Sequence, residues 1–400
     1  MISFENSKRI QEQHEYAESI GREMIRPQAR YYDDYDHEHE EPREYEKFIW
    51  ETARKKLESL NPAAVVPDEP FMLQLHMIEA ISWGDAGFFM CLPWPALGGN
   101  AIQTNGTEEQ KARLTERFQG SEPTWTCMAM SEAHCGSDSG AIRTRAVRDG
   151  NHWVLNGEKL FVTSAKKAMV DSNGFMVVWA TIDPSAGRAG IRPFLIESGT
   201  PGVKITKLEK KLGFRASDTA VVILEDCRVP LENLLGGHEG KGFKGAMTTF
   251  DSARPAAAAN GLGIARATLD FLKEQLALNG ITIRYGVPRH LLTALEREIV
   301  EMEAQLEAAW LLVVRAGWMV DQHKRNTLES SMSKVKAGDV ITKITQKGIE
   351  LMGPLGYSRE LLLEKWMRDG KVIDLFEGTG QINRLVIARR ILGYSNKELK

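Results

Sequence analysis

The run Leu375-Phe376-Glu377-Gly378-Thr379-Gly380-Gln381-Ile382 sets a carboxylate directly before a glycine in a short polar turn, with helix-like apolar segments on both sides. Gly378 has no side chain to hold a ligand away, so the backbone can approach closely and press the Glu377 carboxyl against a bound molecule. A carboxyl desolvated in this way has a raised pKa and is a candidate general base. The plain alternative is a surface turn.

Other strings offer matching chemistry. In Met130-Ser131-Glu132-Ala133-His134-Cys135-Gly136-Ser137-Asp138, hydroxyls and backbone N–H groups could bind a polar heteroaromatic ring; a capped turn at a domain junction is the alternative. In Gly157-Glu158-Lys159-Leu160-Phe161-Val162-Thr163-Ser164, an aromatic and a hydroxyl alternate at period two and share one strand face. That face could stack on a ring and hydrogen-bond its edge, or it could be ordinary core. In Phe250-Asp251-Ser252-Ala253-Arg254-Pro255, Asp251 and Arg254 form either a surface ion pair, worth little, or the mouth of a pocket. A helix is expected to start here, capped by Ser252 and propagated by Ala256 to Ala259. The glycine-rich run Gly236 to Phe243 is not a phosphate loop, because the spacing is wrong and no Ser or Thr follows Lys241. Gly261-Leu262-Gly263 lacks a third glycine and a preceding strand, so it is no dinucleotide fingerprint.

The elements that must position these strings change in period along the chain. From Asn6 to about Gly120 the spacing is helical, as in Met72, Leu75, Ile78 and Ile81, and Thr107-Glu108-Glu109-Gln110 reads as a capping box. From about Thr124 to Leu235 short β-rich runs alternate with turn signals, with Asp149-Gly150 and Asn156-Gly157 as hairpin-type dipeptides. Many short strands of this kind predict an antiparallel barrel or sandwich. From about Gly240 helices return. Leu295, Ile299, Met302, Leu306, Trp310 and Val313 share one face of a long helix, Val340, Ile341 and Ile344 mark another, and Leu385 to Leu392 a third. Long helices with short connections predict an antiparallel bundle.

Composition narrows the function classes. The 400 residues carry a net charge of -3, so no basic excess exists to neutralise a phosphate backbone, and nucleic-acid binding is disfavoured. The acidic run Asp33 to Glu41 is read as a solvated surface segment, since nothing nearby completes a metal-ligand set. Cys91, Cys127, Cys135 and Cys227 form no CxxC pair or zinc spacing. The start of the chain lacks a signal pattern, and its apolar windows are shorter than the roughly 20 residues a membrane span takes. A reduced, cytoplasmic protein without a membrane span is expected.

These strings, in this order, resemble the acyl-CoA dehydrogenase family from about Gly106 to Ile391. The first matches the family's Thr-Glu-Pro…Gly-Ser-Asp signature, with Ser131 for Thr and Ala133 for Pro. Leu212 to Thr219, Phe250 to Pro255 and Glu364 to Lys371 also match. The resemblance implies an α+β multidomain fold: an N-terminal helical domain over residues 1–123, a middle antiparallel β-barrel over 124–236 and a C-terminal four-helix bundle over 237–400. It implies FAD between barrel and bundle. Met128, Met130 and Ser131 would hold the pyrimidine edge of the flavin, and Ser137 would touch flavin or substrate. Phe161 would stack nearby, Thr163 would donate to N5, and Thr379 and Gln381 would meet the adenosine diphosphate. Phe250, Asp251 and Arg254 would line the pantetheine and acyl channel. Glu377 would remove the α-proton of an acyl-CoA thioester while the β-hydride moves to the flavin. Some relatives carry the base just before the Arg of the Arg254 string; here that residue is Ala253, which cannot accept a proton.

Two strings depart from the family pattern. Where an Arg should begin a segment lent to the neighbouring subunit's FAD, the chain has Thr282, although Arg284 could reach across. Where a Gln-x-x-Gly-Gly string is expected, the chain reads Glu350-Leu351-Met352-Gly353-Pro354. The assembly implied is therefore either a homotetramer with altered contacts or an α2β2 tetramer with a related subunit. The function implied is an acyl-CoA dehydrogenase that passes electrons to an electron-transfer flavoprotein or a similar acceptor. The competing readings are an oxygen-using relative (an acyl-CoA oxidase or flavin monooxygenase) and a non-catalytic subunit, the latter disfavoured by the intact Glu377 and Thr163.

Overall fold

The fold is that of a computed structural model, which describes residues 6–35, 46–48, 50–51, 69–237, 240–394 and 398. Helices come first: α1 (Lys8–Ile20), α2 (Ala29–Tyr35), α3 (Pro70–Gly84), α4 (Ala96–Asn105) and α5 (Glu108–Phe118). The expected face of α3 is present, with Met72, Leu75, Ile78 and Ile81 all buried. At the start of α5, Thr107 and Gln110 form the reciprocal capping box, which satisfies two otherwise orphaned N–H groups.

Seven strands follow: β1 (Thr126–Ala129), β2 (Arg145–Asp149), β3 (His152–Thr163), β4 (Phe175–Thr181), β5 (Ile191–Glu197), β6 (Val203–Leu208) and β7 (Thr219–Pro230). They form one sheet in the order β1-β4-β2-β3-β7-β6, with β5 paired to the other edge of β4. It is a curled half-barrel rather than a closed barrel, and it is not purely antiparallel. β1 and β2 both run parallel to β4, end to end along its one edge. Turn dipeptides report only strands that follow each other as hairpins, so these non-sequential pairings leave no local signal. Asp149-Gly150 does close the β2–β3 hairpin, with Gly150 at φ 59°. Asn156-Gly157 does not form a turn. It lies inside β3 as a bulge against β7. A Cβ on Gly157 would stand 2.5 Å from Thr144 Oγ1, so glycine is needed there for close approach.

The bundle is built from α6 (Phe243–Leu278), α7 (Ala294–Asp321), α8 (Thr327–Met352), α9 (Leu363–Ile373) and α10 (Gly380–Leu392). Helix α6 begins at Phe243, well before the expected cap at Ser252, and runs straight through Pro255. Proline removes the hydrogen bond that the Asp251 carbonyl would otherwise accept. Asn326 Nδ2 supplies it instead, at 3.1 Å, from just before α8.

One apolar core joins α1 and α3 to the bundle helices through Ile10, Leu75, Ile78, Leu262, Ile299, Val313, Ile341 and Trp366. A second fills the inside of the sheet around Leu155, Val162, Met176, Val178 and Phe194. All four cysteines are buried and free. Among the described residues, no helix is long and apolar enough to cross a membrane. Of the acidic run, residues 36–41 lie outside the described residues, and Asp33 is not solvated. It is fully buried and bonds Arg368 Nη2 at 2.6 Å and Arg30 Nη1 at 3.1 Å, tying α2 to α9. Burial works to raise the Asp33 pKa, but the Arg368 bond and the Lys365 and Arg368 charges outweigh it and hold the carboxyl below its usual range.

Candidate active site

Glu377 sits between the end of α9 and the start of α10. Its own φ is 56°, a left-handed conformation that costs a non-glycine residue about 1–2 kcal/mol, and Gly378 follows at 88°. The surroundings hold this turn from several sides. Gly380 N–H donates to Asp374 O at 3.0 Å. Asn383 Nδ2 donates to Gly378 O at 2.7 Å and to Thr379 O at 3.2 Å. Thr379 Oγ1 caps α10 by accepting from Ile382 N–H at 3.3 Å. A residue kept in such a conformation by its neighbours is a mark of a functional site.

The carboxyl itself is poorly provided for. Glu377 Oε2 is buried without a hydrogen-bond partner among the described residues. Burial pushes its pKa up to about 7, against the opposing pull of Lys334 and Arg254. The Glu377 N–H likewise donates to no acceptor among the described residues. A carboxyl poised near neutrality beside a free backbone donor can take a proton and steady a developing oxyanion at the same place.

Helix α6, through Arg254, and the Phe214 segment, through Phe376, both approach this turn. On one side, Met128 and Met130 from the β1 end pack with Met247 and Phe250 of α6. One turn further along α6, Arg254 is 3.0 Å from Asp251, and both are largely buried, so the pair is not a surface one. Thr327 donates to the other Asp251 oxygen at 2.6 Å. Burial raises the Asp251 pKa against the pull of these partners. Arg254 Nε is buried without a hydrogen-bond partner among the described residues. On the other side, Phe214 stands edge-on to Phe376 at 6.2 Å, and its N–H donates to Asp369 Oδ1 at 2.7 Å. The Leu212 and Glu364 strings, far apart in sequence, therefore touch. Lys365 locks the second of them in place by pairing with Asp369 and with Asp85.

Phe161 and Thr163 lie at the far end of β3, where a further irregularity against β7 separates Lys159 from Val162. Phe161 is itself left-handed, at φ 56°, and the residue is 65% exposed. Thr163 is partly exposed as well, while Val162 between them is buried. An uncovered aromatic face held in a strained backbone, next to a hydroxyl, suits a flat heteroaromatic ring with a polar edge. The orphaned Glu377 Oε2 and Arg254 Nε fit a ligand with polar groups of its own. Ser131 is partly exposed in the neighbouring turn, and its carbonyl accepts from Leu160 N–H at 2.9 Å. Ser137 and Gln381 are exposed, the latter in the first turn of α10.

Arg284 is placed elsewhere. In the α6–α7 connection its guanidinium grips both Glu296 oxygens at 2.7 Å, within its own chain. Glu350 pairs with Lys347 at 2.5 Å on α8. Lys334 and Asn383 were not singled out from the sequence. Lys334 had a readable signal: it is a lone cation in step with the buried Ala337 and Ile341 on the apolar face of α8. Asn383 had none.

Residues 127–227 match the model of the acyl-CoA dehydrogenase middle domain, and residues 240–392 match that of the acyl-CoA dehydrogenase C-terminal domain. The chain is 39% identical over 287 residues to the mitochondrial short-chain specific acyl-CoA dehydrogenase of Mus musculus, covering 72% of this chain and 67% of the relative. It is 38% identical over 315 residues to the cyclohexane-1-carbonyl-CoA dehydrogenase of Geobacter metallireducens, covering 79% and 80%. Among solved structures, butyryl-CoA dehydrogenase from Megasphaera elsdenii superposes with a TM-score of 0.86 at 28% identity, over 98% of this chain and 100% of that one.

Proposed function

Because the chain belongs to the acyl-CoA dehydrogenase family, we propose that it desaturates the Cα–Cβ bond of an acyl-CoA thioester with Glu377 as the base. The observation that carries this reading is the Glu377 carboxyl, buried at Oε2 and raised to about 7 by desolvation. Glu377 takes the α-proton of the thioester. Its N–H, which donates to no acceptor among the described residues, donates to the thioester oxygen as negative charge gathers there; losing one such donor typically costs about 2.7–4 kcal/mol. Phe250, Asp251 and Arg254 bind and orient the pantetheine and acyl portion. FAD, when bound, would supply the acceptor for the β-hydride, and an electron-transferring flavoprotein or similar carrier would be the onward acceptor. Met128, Met130, Ser131, Ser137, Phe161 and Thr163 would hold its ring, and Thr379 and Gln381 its adenosine diphosphate. Phe214 and Phe376 help keep water from the carboxyl.

The test is an anaerobic titration of the purified flavoprotein with a panel of acyl-CoA thioesters. Bleaching of the flavin by at least one of them supports the reading, and loss of bleaching in Glu377→Gln assigns the base. A yellow protein that no acyl-CoA bleaches contradicts it, and rapid oxygen uptake after bleaching would place the chain among oxygen-using relatives.

A second reading concerns assembly. Arg284 and Glu350, in the segments expected to reach a neighbour's cofactor, are engaged inside their own chain. That favours pairing with a related subunit that supplies these contacts. Stoichiometric FAD in a homotetramer of this chain expressed alone would refute it.

A further inference from the structure

Lys334 is 1% exposed and sits in the N-terminal third of α8, on its buried face. No carboxylate of the described residues lies within ion-pair distance of its ammonium. Nζ instead donates to two backbone carbonyls, Ile373 O at the end of α9 and Gly378 O at 3.4 Å. It also lies 5.5 Å from the centre of the Phe376 ring. These two carbonyls bracket Glu377. The ammonium therefore reaches both ends of the strained turn from a separate helix, and Asn383 completes the hold by meeting the same Gly378 oxygen from α10.

A buried ammonium is an expensive way to bond two carbonyls. A neutral donor such as the Asn383 amide does the same work at Gly378 O. What the charge adds is an electrostatic effect on the carboxyl that the turn carries. We propose that Lys334 is a positioning residue for the Glu377 base, fixing the turn mechanically through Ile373 O and Gly378 O and setting a positive charge against the turn that carries the carboxyl. This rests on the reading of Glu377 as the base.

The charged groups around the pair are few. Lys334 on α8 and Arg254 on α6 face Glu377 and both favour its ionised form, while burial opposes them. Arg254 is itself paired with Asp251. Lys334 is brought down to about 8, first by burial and also by Arg254, with Glu377 and Asp374 acting the other way. Helix α10 contributes the neutral Asn383. When the base takes a proton it loses its charge, and Lys334 then faces only Asp374 in the turn. The ammonium is thus best satisfied in the state in which the base is ready.

Two variants separate the two roles. Lys334→Gln keeps a hydrogen-bond donor and removes the charge. Lys334→Met removes both. The readouts are the acid limb of kcat/KM against pH, and hydrogen exchange of the backbone amides of residues 375–380 in the holoenzyme without substrate. In both variants the acid limb moves up by about one pH unit, the size of shift an opposite charge nearby produces. In Lys334→Met the turn amides also exchange at least tenfold faster, while in Lys334→Gln they stay closer to wild type. If a folded Lys334→Gln has an unmoved acid limb, the electrostatic part is overturned. If Lys334→Met exchanges like wild type, the mechanical part is overturned. Should Lys334→Met fail to fold, Lys334→Gln still decides the first point, and Asn383→Ala in the wild-type background, expected to speed exchange at Gly378 and Thr379 alone, decides whether the turn is clamped from both sides. Full activity in Glu377→Gln would instead remove the base assignment itself, whatever the Lys334 variants do.

Discussion

Two glutamates, buried Glu132 and half-buried Glu377 with its Oε2 enclosed, face opposite conditions in this molecule. Glu132, in the turn after β1, accepts from Arg143 N–H at 2.7 Å, Thr144 N–H at 3.0 Å, Thr144 Oγ1 at 2.6 Å and Lys159 Nζ at 2.7 Å. Burial alone would raise its pKa, but the Lys159 charge and these bonds hold it below the usual range. Glu377 has an orphaned Oε2 and a pKa raised to about 7. The same side chain is a strut where the fold surrounds it with donors, and is the proposed base where the fold withholds them. Burial is common to both; what separates them is the supply of hydrogen bonds to the charged form.

That contrast can be broken in order of expected effect. Glu377→Gln should lower kcat by about a thousandfold, the scale of a lost general base, with the melting temperature unchanged or raised. Glu132→Gln should do the reverse. It leaves the fully buried Lys159 ammonium without its carboxylate, and removing one member of a buried pair costs about 3–5 kcal/mol, read as a lowered denaturant midpoint. The pH profile sharpens the comparison. A base must be ionised to act, so wild-type kcat/KM should climb as pH rises through about 7 and be lost below it. Glu132 should contribute no limb in that range, because its folded pKa is depressed; the stability it lends is present above its unfolded pKa and fades only in acid. The smallest effect is at the exposed ring on β3. Phe161→Ala should weaken FAD retention by roughly 1 kcal/mol, the worth of an aromatic contact, and leave stability untouched. Equal loss of stability in Phe161→Ala would mean that the ring belongs to the core.

Much of this was legible from residue type and spacing. The period change from helix to strand and back, the Thr107 capping box and the Asp149-Gly150 hairpin are local signals, and the fold obeys them. The failures are long-range solutions to local problems. Pro255 reads as a helix start because a proline inside a helix leaves a carbonyl bare; Asn326, distant in sequence, bonds it, so the helix runs on. Asn156-Gly157 reads as a turn because such dipeptides favour one, but β7 takes the pair up as a bulge. The parallel pairings of β4 have no signature in neighbouring residues. Asp33 reads as one more solvated acid until Arg30 and Arg368 close around it. For the site, Glu377 stood out because it precedes a glycine. The groups that set its behaviour, Lys334, Asn383 and the orphaned Arg254 Nε, come from three helices that only the tertiary fold brings together.

The most direct measurement uses a thioester that can lose its α-proton but has sulfur in place of the β-carbon, so that no hydride can leave. With this 3-thia-acyl-CoA bound in deuterated buffer, the wild-type protein should exchange the α-proton for deuterium within the turnover time, and Glu377→Gln should not. Exchange at the wild-type rate in Glu377→Gln would show that some other group takes the proton.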